Sequence, residues 1–140
     1  MDKEKLKDGL DLLHNVILLA RNGKLMERPP PPHGRILDDD TGTGIWAIEV
    51  AREVHEGEVL GFAASKLQPA AENRPANLEF RLGDRNTLWT LQDQFGLIHT
   101  RVLPADTRNW SEYYRMAYEL LRIGGTLEIE ALSLELSSDE

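Results

Sequence analysis

The stretch that most constrains this chain is Arg35-Ile36-Leu37-Asp38-Asp39-Asp40-Thr41-Gly42-Thr43-Gly44. Arg35 to Leu37 reads as a strand running into Asp38. Gly42 and Gly44 then make a tight turn into a helix that begins near Ile45. A strand, a glycine-rich turn and a helix form a nucleotide-type cradle, in which N–H groups at the helix start meet a polar ligand and glycine lets the backbone approach it. This cradle carries three carboxylates in a row. They cannot all sit unpaired in a low dielectric, so crowding is expected to raise the pKa of at least one and make it a candidate general acid.

The rest of the chain supplies the α/β setting such a cradle needs. A helix over residues 4–21 places Leu6, Leu10, Leu13, Ile17 and Ala20 on one face, and Leu12, Val16, Leu18 and Leu19 widen that face into a second half buried on several sides. His14 lies beside this face and reads as a core or cap residue. Asn22-Gly23 stops the helix, and Pro29 to Pro32 is a stiff link to the first strand. After the cradle, Ile45, Ile48, Ala51 and Val54 mark the second helix. Strands are expected over 58–63, 78–82 and 95–102, and a helix over 110–121 has its apolar face at Trp110, Tyr114, Ala117 and Leu121. Trp89 reads as a packing anchor. Gly124-Gly125 caps the last helix, and a fifth strand runs from Thr126 to Leu136, with Leu132, Leu134 and Leu136 continuing it after a phase change.

Alternating strands and helices predict a mainly parallel sheet whose ligand site lies at the carboxyl ends of the strands. That points to residues 38–44, 63–65, 83–85 and 99–106. His99 and Arg101, near the end of the fourth strand, are candidates for an acid or base and for orienting an anionic or carbonyl group. Their alternative role is structural pairing with the acidic cluster. The three aspartates are poorly spaced for a metal, since neighbours diverge and His33 falls at the far end of the first strand, so no metal site is expected.

Composition narrows the function classes. The 140 residues suit one domain, with a helical lead-in over 1–28 and an α/β core over 33–136. A formal net charge of −8 argues against nucleic acid as the main partner. The chain has no cysteine, which excludes disulfides and thiolate chemistry. It has no apolar run long enough to span a membrane and no signal-type core near its start, so a cytoplasmic setting is the simplest expectation.

The run from Arg35 through Asp38, Gly42 and Gly44 to Glu49 resembles motif I of class I S-adenosylmethionine (SAM) dependent methyltransferases, and most of all their fungal LaeA-like subgroup. Leu10 to His14 with Gly23-Lys24-Leu25, Phe95 to Arg101, and Asn109-Trp110 through Gly124-Gly125 resemble further stretches of that subgroup in the same order. The resemblance implies a Rossmann-like sheet with flanking helices, here without the last two strands. It also implies that Asp38, Gly42, Gly44 and Asp84 would contact SAM if SAM is retained.

The departures from the pattern suggest that SAM is not retained. Asp40 replaces the motif's first glycine, Ala63 replaces the acidic residue expected to hold the ribose, and Gly96 stands where the fourth strand usually has Asp. A carboxylate at Asp40 would repel the carboxylate of the methionine moiety, and loss of the ribose acceptor removes a strong hydrogen-bond partner; each loss costs on the order of 1–3 kcal/mol. The leading expectation is therefore a repurposed fold of secondary metabolism. It would bind an apolar natural-product-like substrate, with no cofactor, and carry out a cyclisation, isomerisation or cycloaddition using Asp38, Asp40, His99 and Arg101. The alternatives are a SAM-dependent methyltransferase with a relaxed motif and a non-catalytic partner of another methyltransferase. An unpaired fifth strand further predicts a homodimer formed through that strand or through the truncated C-terminal edge.

Overall fold

A computed structural model describes residues 2–131. The elements run α1 (Lys3–Ala20), β1 (Arg35–Asp38), α2 (Ile45–Glu53), β2 (Glu58–Ala63), β3 (Leu78–Leu82), β4 (Phe95–Val102), α3 (Trp110–Leu120) and β5 (Leu121–Ala131), with short 3-10 turns over Ala71–Asn73 and Arg85–Thr90. All strand pairs are parallel and the order is β3-β2-β1-β4-β5. This is the expected Rossmann-like class I methyltransferase sheet, described here to its fifth strand.

Neighbouring apolar residues on each central strand serve opposite faces, as a pleated strand buried on both sides requires. Ile36, Val59 and Leu97 pack under α2 with Trp46, Ala47 and Val50. Their neighbours Leu37, Leu60 and Ile98 pack under α3 with Phe95, Tyr113, Ala117 and Leu120. The strand order reverses at β1, which pairs with β2 on one side and β4 on the other, and the register sets Asp38 opposite both Gly61 and His99. A crevice opens at such a reversal point.

Two glycines make room for one ring. A Cβ on Gly44 or on Gly61 would stand 2.5 Å from the Phe80 ring. Gly44 also has φ 85°, in the left-handed region that favours glycine. Gly96 is explained in the same way, because a Cβ there would lie 3.1 Å from Pro30 in the link that precedes β1.

Four local expectations need correction. The second half of α1 is not buried on several sides: Leu12, Val16 and Leu19 are exposed, and the one fully buried residue of the helix is His14. Trp89 is 70% exposed and anchors nothing. The buried face of α3 is Tyr113, Ala117 and Leu120, one register away from the predicted face, with Tyr114 half-exposed. Gly124-Gly125 does not cap that helix: β5 starts at Leu121, directly after α3, and passes through both glycines with a register shift against Phe95 and Leu97. The predicted continuation over 132–136 lies outside the described residues.

Candidate functional site

The cradle is built as its sequence implies. Gly42 (φ 56°) and Gly44 (φ 85°) both take left-handed backbone, and Gly44 N–H closes the turn on the Thr41 carbonyl at 2.8 Å. A Cβ on Gly42 would meet only Leu10 Cδ1, at 3.6 Å, so the glycine keeps the floor of a cavity open. Among the described residues the N–H groups of Gly42 and Thr43 make no hydrogen bond, and they are donors available to a ligand. Residues of α1 form the opposite wall: Leu10 and Leu13 line the cavity, and Thr43 Oγ1 donates to Asp11 at 2.7 Å.

Two adjoining cavities share Asp40 and Arg85. One, of about 370 Å³, is lined by Leu10, Leu13, Gly42, Ile45, Leu67, Arg101 and Leu103 among others. The other, of about 420 Å³, is lined by Ala64, Asp84, Asn86, Thr107, Arg108 and Asn109. Together they follow the carboxyl ends of β1 to β4. The expected ribose position, Ala63, is buried and the wall beside it is formed by Ala64 and Ser65, which carry no carboxylate. Asp84 is on the wall, and its side chain also caps the following 3-10 turn by accepting from Asn86 N–H at 2.8 Å.

The three aspartates have three different fates. Asp38 is buried and accepts from Thr41 Oγ1 at 2.8 Å while its other oxygen lies 3.0 Å from His99 Nδ1. Asp39 is fully buried against the Tyr113 hydroxyl, which donates to it, and its second oxygen, Oδ1, has no partner among the described residues. Burial pushes the Asp39 carboxyl up to about 7 against the opposing effect of the Tyr113 bond. Tyr113 is in turn raised by its own burial and by Asp39. Asp40 alone of the three reaches the cavities. Its carboxyl is raised by burial and held down by the Arg85 guanidinium, whose Nη2 is 3.7 Å away. A raised carboxyl was expected, but its main cause is desolvation rather than crowding.

His99 does not reach the cleft. It is 1% exposed, stacked on Trp46 and clamped between Asp38 at Nδ1 and Glu130 at Nε2. Both ring nitrogens face carboxylates, so both donate and the ring is an imidazolium. Burial pushes its pKa down, and the bonds to Asp38 and Glu130 outweigh this, leaving it raised. Glu130 is raised by burial, but His99 and Arg101 overcome that and hold it at about 2. Arg101 borders two cavities and commits its guanidinium to the interior network, with Nε donating to Glu130 at 3.0 Å and Nη2 to His14 Nδ1 at 2.8 Å. Arg101 can only donate, so His14 Nε2 carries the proton given to Glu49, 2.8 Å away. A continuous polar chain therefore ties α1, α2, β4 and β5 to the cradle. The sequence points to His99 and Arg101, to Asp39 as one of three crowded carboxylates and to Arg85 as the end of the 83–85 segment, but not to Glu130 or Glu49 as their partners; only the Glu128/Glu130 alternation on β5 offered a signal.

A family model described as a methyltransferase domain matches residues 12–140. The chain belongs to the methyltransferase-domain family. It is 39% identical over 144 residues to the secondary metabolism regulator LAE1 of Cochliobolus heterostrophus, covering 98% of this chain and 46% of that protein. It is 36% identical to the secondary metabolism regulator laeA of Aspergillus fumigatus (98% and 37%), and 34% identical to the methyltransferase pytC of Aspergillus terreus (95% and 41%). The chain thus spans less than half the length of these relatives. Among solved structures it resembles the plantazolicin methyltransferase BpumL in complex with a substrate analogue and S-adenosylhomocysteine (SAH), at TM-score 0.68 and 15% identity over 92% of this chain and 52% of that one. It also resembles coclaurine N-methyltransferase bound to N-methylheliamine and SAH, at TM-score 0.63 and 20% identity over 70% and 30%.

These findings correct the expectation that the domain does without a cofactor. The family is one of methyltransferases, and structures of the same fold hold SAH. Of the altered residues, Asp40 is paired by Arg85, 3.7 Å away, while Ala63 leaves the ribose position without a carboxylate; Gly42, which the chain keeps, still opens the cradle. Among the described residues no helix is long and apolar enough to cross a membrane.

Proposed function

We propose that the domain binds SAM in the paired cavities and supports methyl transfer to an acceptor with an apolar body. The observation that carries this reading is the Gly42 cradle: left-handed backbone, two free N–H donors and a floor that a Cβ would narrow. Bound SAM supplies an electrophilic methyl group on a sulfonium centre. The chain's own contribution is orientation and shielding. Gly42 and Thr43 offer N–H donors, Asp84 offers an acceptor, and Leu10, Leu13 and Leu103 exclude water from the acceptor side. Asp40, half-exposed on the wall common to both cavities, is the carboxylate placed to take a proton from an acceptor nucleophile. His99 and Asp38 are positioning residues that fix the end of β1 beneath the cradle.

The relatives named as regulators of secondary metabolism, and the Emericella nidulans relative named a protein-methionine methyltransferase, support a methyl acceptor within that biology. A cyclisation or isomerisation in a vacated cleft depended on loss of SAM, and the charge pairing of Asp40 answers one of the two arguments for that loss, the missing ribose carboxylate at Ala63 being the other. Self-association through β5 is a second part of the reading. Its outer flank has no strand partner among the described residues, and Val16, Ile17, Leu103 and Ile129 line an apolar groove beside it. Calorimetric titration with SAM and SAH tests the central claim. Saturable binding of both at micromolar concentration is expected, and the absence of binding to either at millimolar concentration would overturn it.

A further inference from the structure

Among the described residues Arg85 is the one cation on the wall that both cavities share, and it is not among the residues the motif pattern brings forward. It is the first residue of the 3-10 turn Arg85–Thr90, whose backbone is fixed by a capping box between Asp84 and Thr87. Its side chain is 22% exposed and bridges two carboxylates from different strand ends: Nη1 lies 2.6 Å from Asp106 Oδ2, and Nη2 lies 3.7 Å from Asp40 Oδ2.

Asp106 does not need Arg85 for neutrality. Arg108 already grips it through Nη2 at 2.7 Å and Nε at 3.0 Å, and the Arg108 guanidinium is locked over the rings of Trp110 and Tyr113 at 4.5 and 4.6 Å. The two carboxylates and two guanidiniums sum to zero, and the charge that balances Asp40 is the one on Arg85. Asp40 occupies the position where the motif has glycine, so the pair Asp40–Arg85 replaces a neutral residue by a neutral couple. Removing Arg85 alone leaves an uncompensated carboxylate, partly buried, beside the two free N–H donors of the cradle. Any ligand that brings its own carboxylate would then meet repulsion.

We propose that Arg85 is a positioning residue that compensates Asp40 and keeps the cleft receptive to a ligand bearing a carboxylate, the amino-acid end of SAM or SAH. This rests on the proposed reading of the cleft as a SAM site. It explains how the chain can carry an aspartate at a glycine position without losing the ligand, and it makes Asp40 and Arg85 a unit rather than two separate substitutions.

The test is a double-mutant cycle read by calorimetry, using wild type, Asp40→Gly, Arg85→Gln and the double variant, with SAH and with 5′-methylthioadenosine, which lacks the amino-acid carboxylate. Cooperative thermal melts establish that each variant is folded. Arg85→Gln is expected to weaken SAH about tenfold or more and methylthioadenosine by less than about twofold, while the double variant returns to within about threefold of wild type. Arg85→Lys, which keeps the charge, is expected to bind SAH within about threefold of wild type. Equal weakening of both ligands, or failure of Asp40→Gly to rescue, overturns the compensation. Binding of SAH by Asp40→Gly but not by wild type overturns the compensation while leaving the cleft a SAM site. Binding of neither ligand by any variant overturns the reading of the cleft as well.

Discussion

Trp46 and His99 lie face to face, with ring centroids 3.7 Å apart and planes 4° from parallel. The indole therefore covers an imidazolium whose edge is held by Asp38 and Glu130, joining a cation–π contact to two charge-assisted bonds. Trp46 is in the first turn of α2 and its Nε1 donates to the Leu25 carbonyl at 3.1 Å, so this one residue ties the cradle helix to the link after α1. His99→Ala would leave Asp38 and Glu130 buried without their shared partner. A loss of roughly 3–5 kcal/mol in unfolding free energy is expected, measured by urea denaturation. A variant within 1 kcal/mol of wild type, a limit of roughly the size of a surface pair, would contradict the buried-network account.

The titration directions give a stability maximum in mildly acidic solution. Glu130 is lowered from 4.5 to about 2, so its contribution, roughly 3 kcal/mol, is present above pH 4.5 and lost as pH falls through about 2. His99 is raised above 6.5, so its contribution is full below that value and is lost as pH rises through its folded pKa. Asp39 is raised from 3.8 to about 7, so it binds a proton in the folded chain that the unfolded chain has released, and folding stability falls as pH rises from 3.8 to about 7. Urea midpoints measured from pH 4 to pH 9 should be highest at about pH 4 to 5, where the Glu130 contribution is full and little of the Asp39 loss has accrued, and should fall from there toward pH 9. A midpoint still rising at pH 8 would be incompatible with these signs.

Asp39→Asn removes the buried ionisable group while keeping an acceptor for the Tyr113 hydroxyl. Its urea midpoint should exceed that of wild type at pH 8, and the two should converge only as pH falls toward the unfolded-state value of 3.8. The expected gain at pH 8 is on the order of a few kcal/mol, the cost of ionising a carboxylate with an unpartnered oxygen. Equal midpoints at pH 8 would show that the Asp39 charge carries no such cost.

Gly61→Ala and Gly44→Ala press on the same Phe80 ring, each with a Cβ 2.5 Å from it, and they differ in backbone. Gly61 lies within β2, where alanine fits the extended backbone, whereas Gly44 has φ 85°. Both should destabilise by about 1–3 kcal/mol through overpacking, and Gly44→Ala by a further 1–2 kcal/mol or so through the left-handed backbone. Equal losses in chemical denaturation would remove the backbone part of the explanation.

The frame of the fold was legible because its signals are local. Residues 35–38, 58–63, 78–82 and 95–102 announce themselves as strands by short apolar runs between turn residues, and Asn22-Gly23 ends α1 as its chemistry requires. The cradle was legible because glycine spacing reports backbone conformation. What escaped was anything set by distant partners. Whether Trp89 is covered depends on what the 3-10 turn over Arg85–Thr90 packs against, and Tyr113 was preferred to Tyr114 because the buried face of α3 follows the sheet beneath it. Arg85 and Asp40 lie 45 positions apart, and Asp38 and His99 61 apart, so neither pairing has a local signature. Of the two roles the sequence left open for His99, the geometry matches pairing with the acidic cluster, because Asp38, Glu130 and Trp46 enclose the ring, and none of these long-range contacts has a local signature.

The reversal of strand order at β1 has a consequence for how the domain assembles on the ribosome. β1, β2 and β3 lie within residues 35–82 and can pair as soon as that length has emerged, but β4 must insert beside β1 afterwards, across a separation of about 60 residues. Until it does, Asp38 faces an open edge with no imidazolium to hold it, and the end of β1 lacks the contact that fixes its exit into the glycine turn. The glycine turn is thus written entirely in residues 35–49, yet its anchor at Asp38 is complete only when residue 99 arrives, which makes docking of the fourth strand a late step in forming the candidate site.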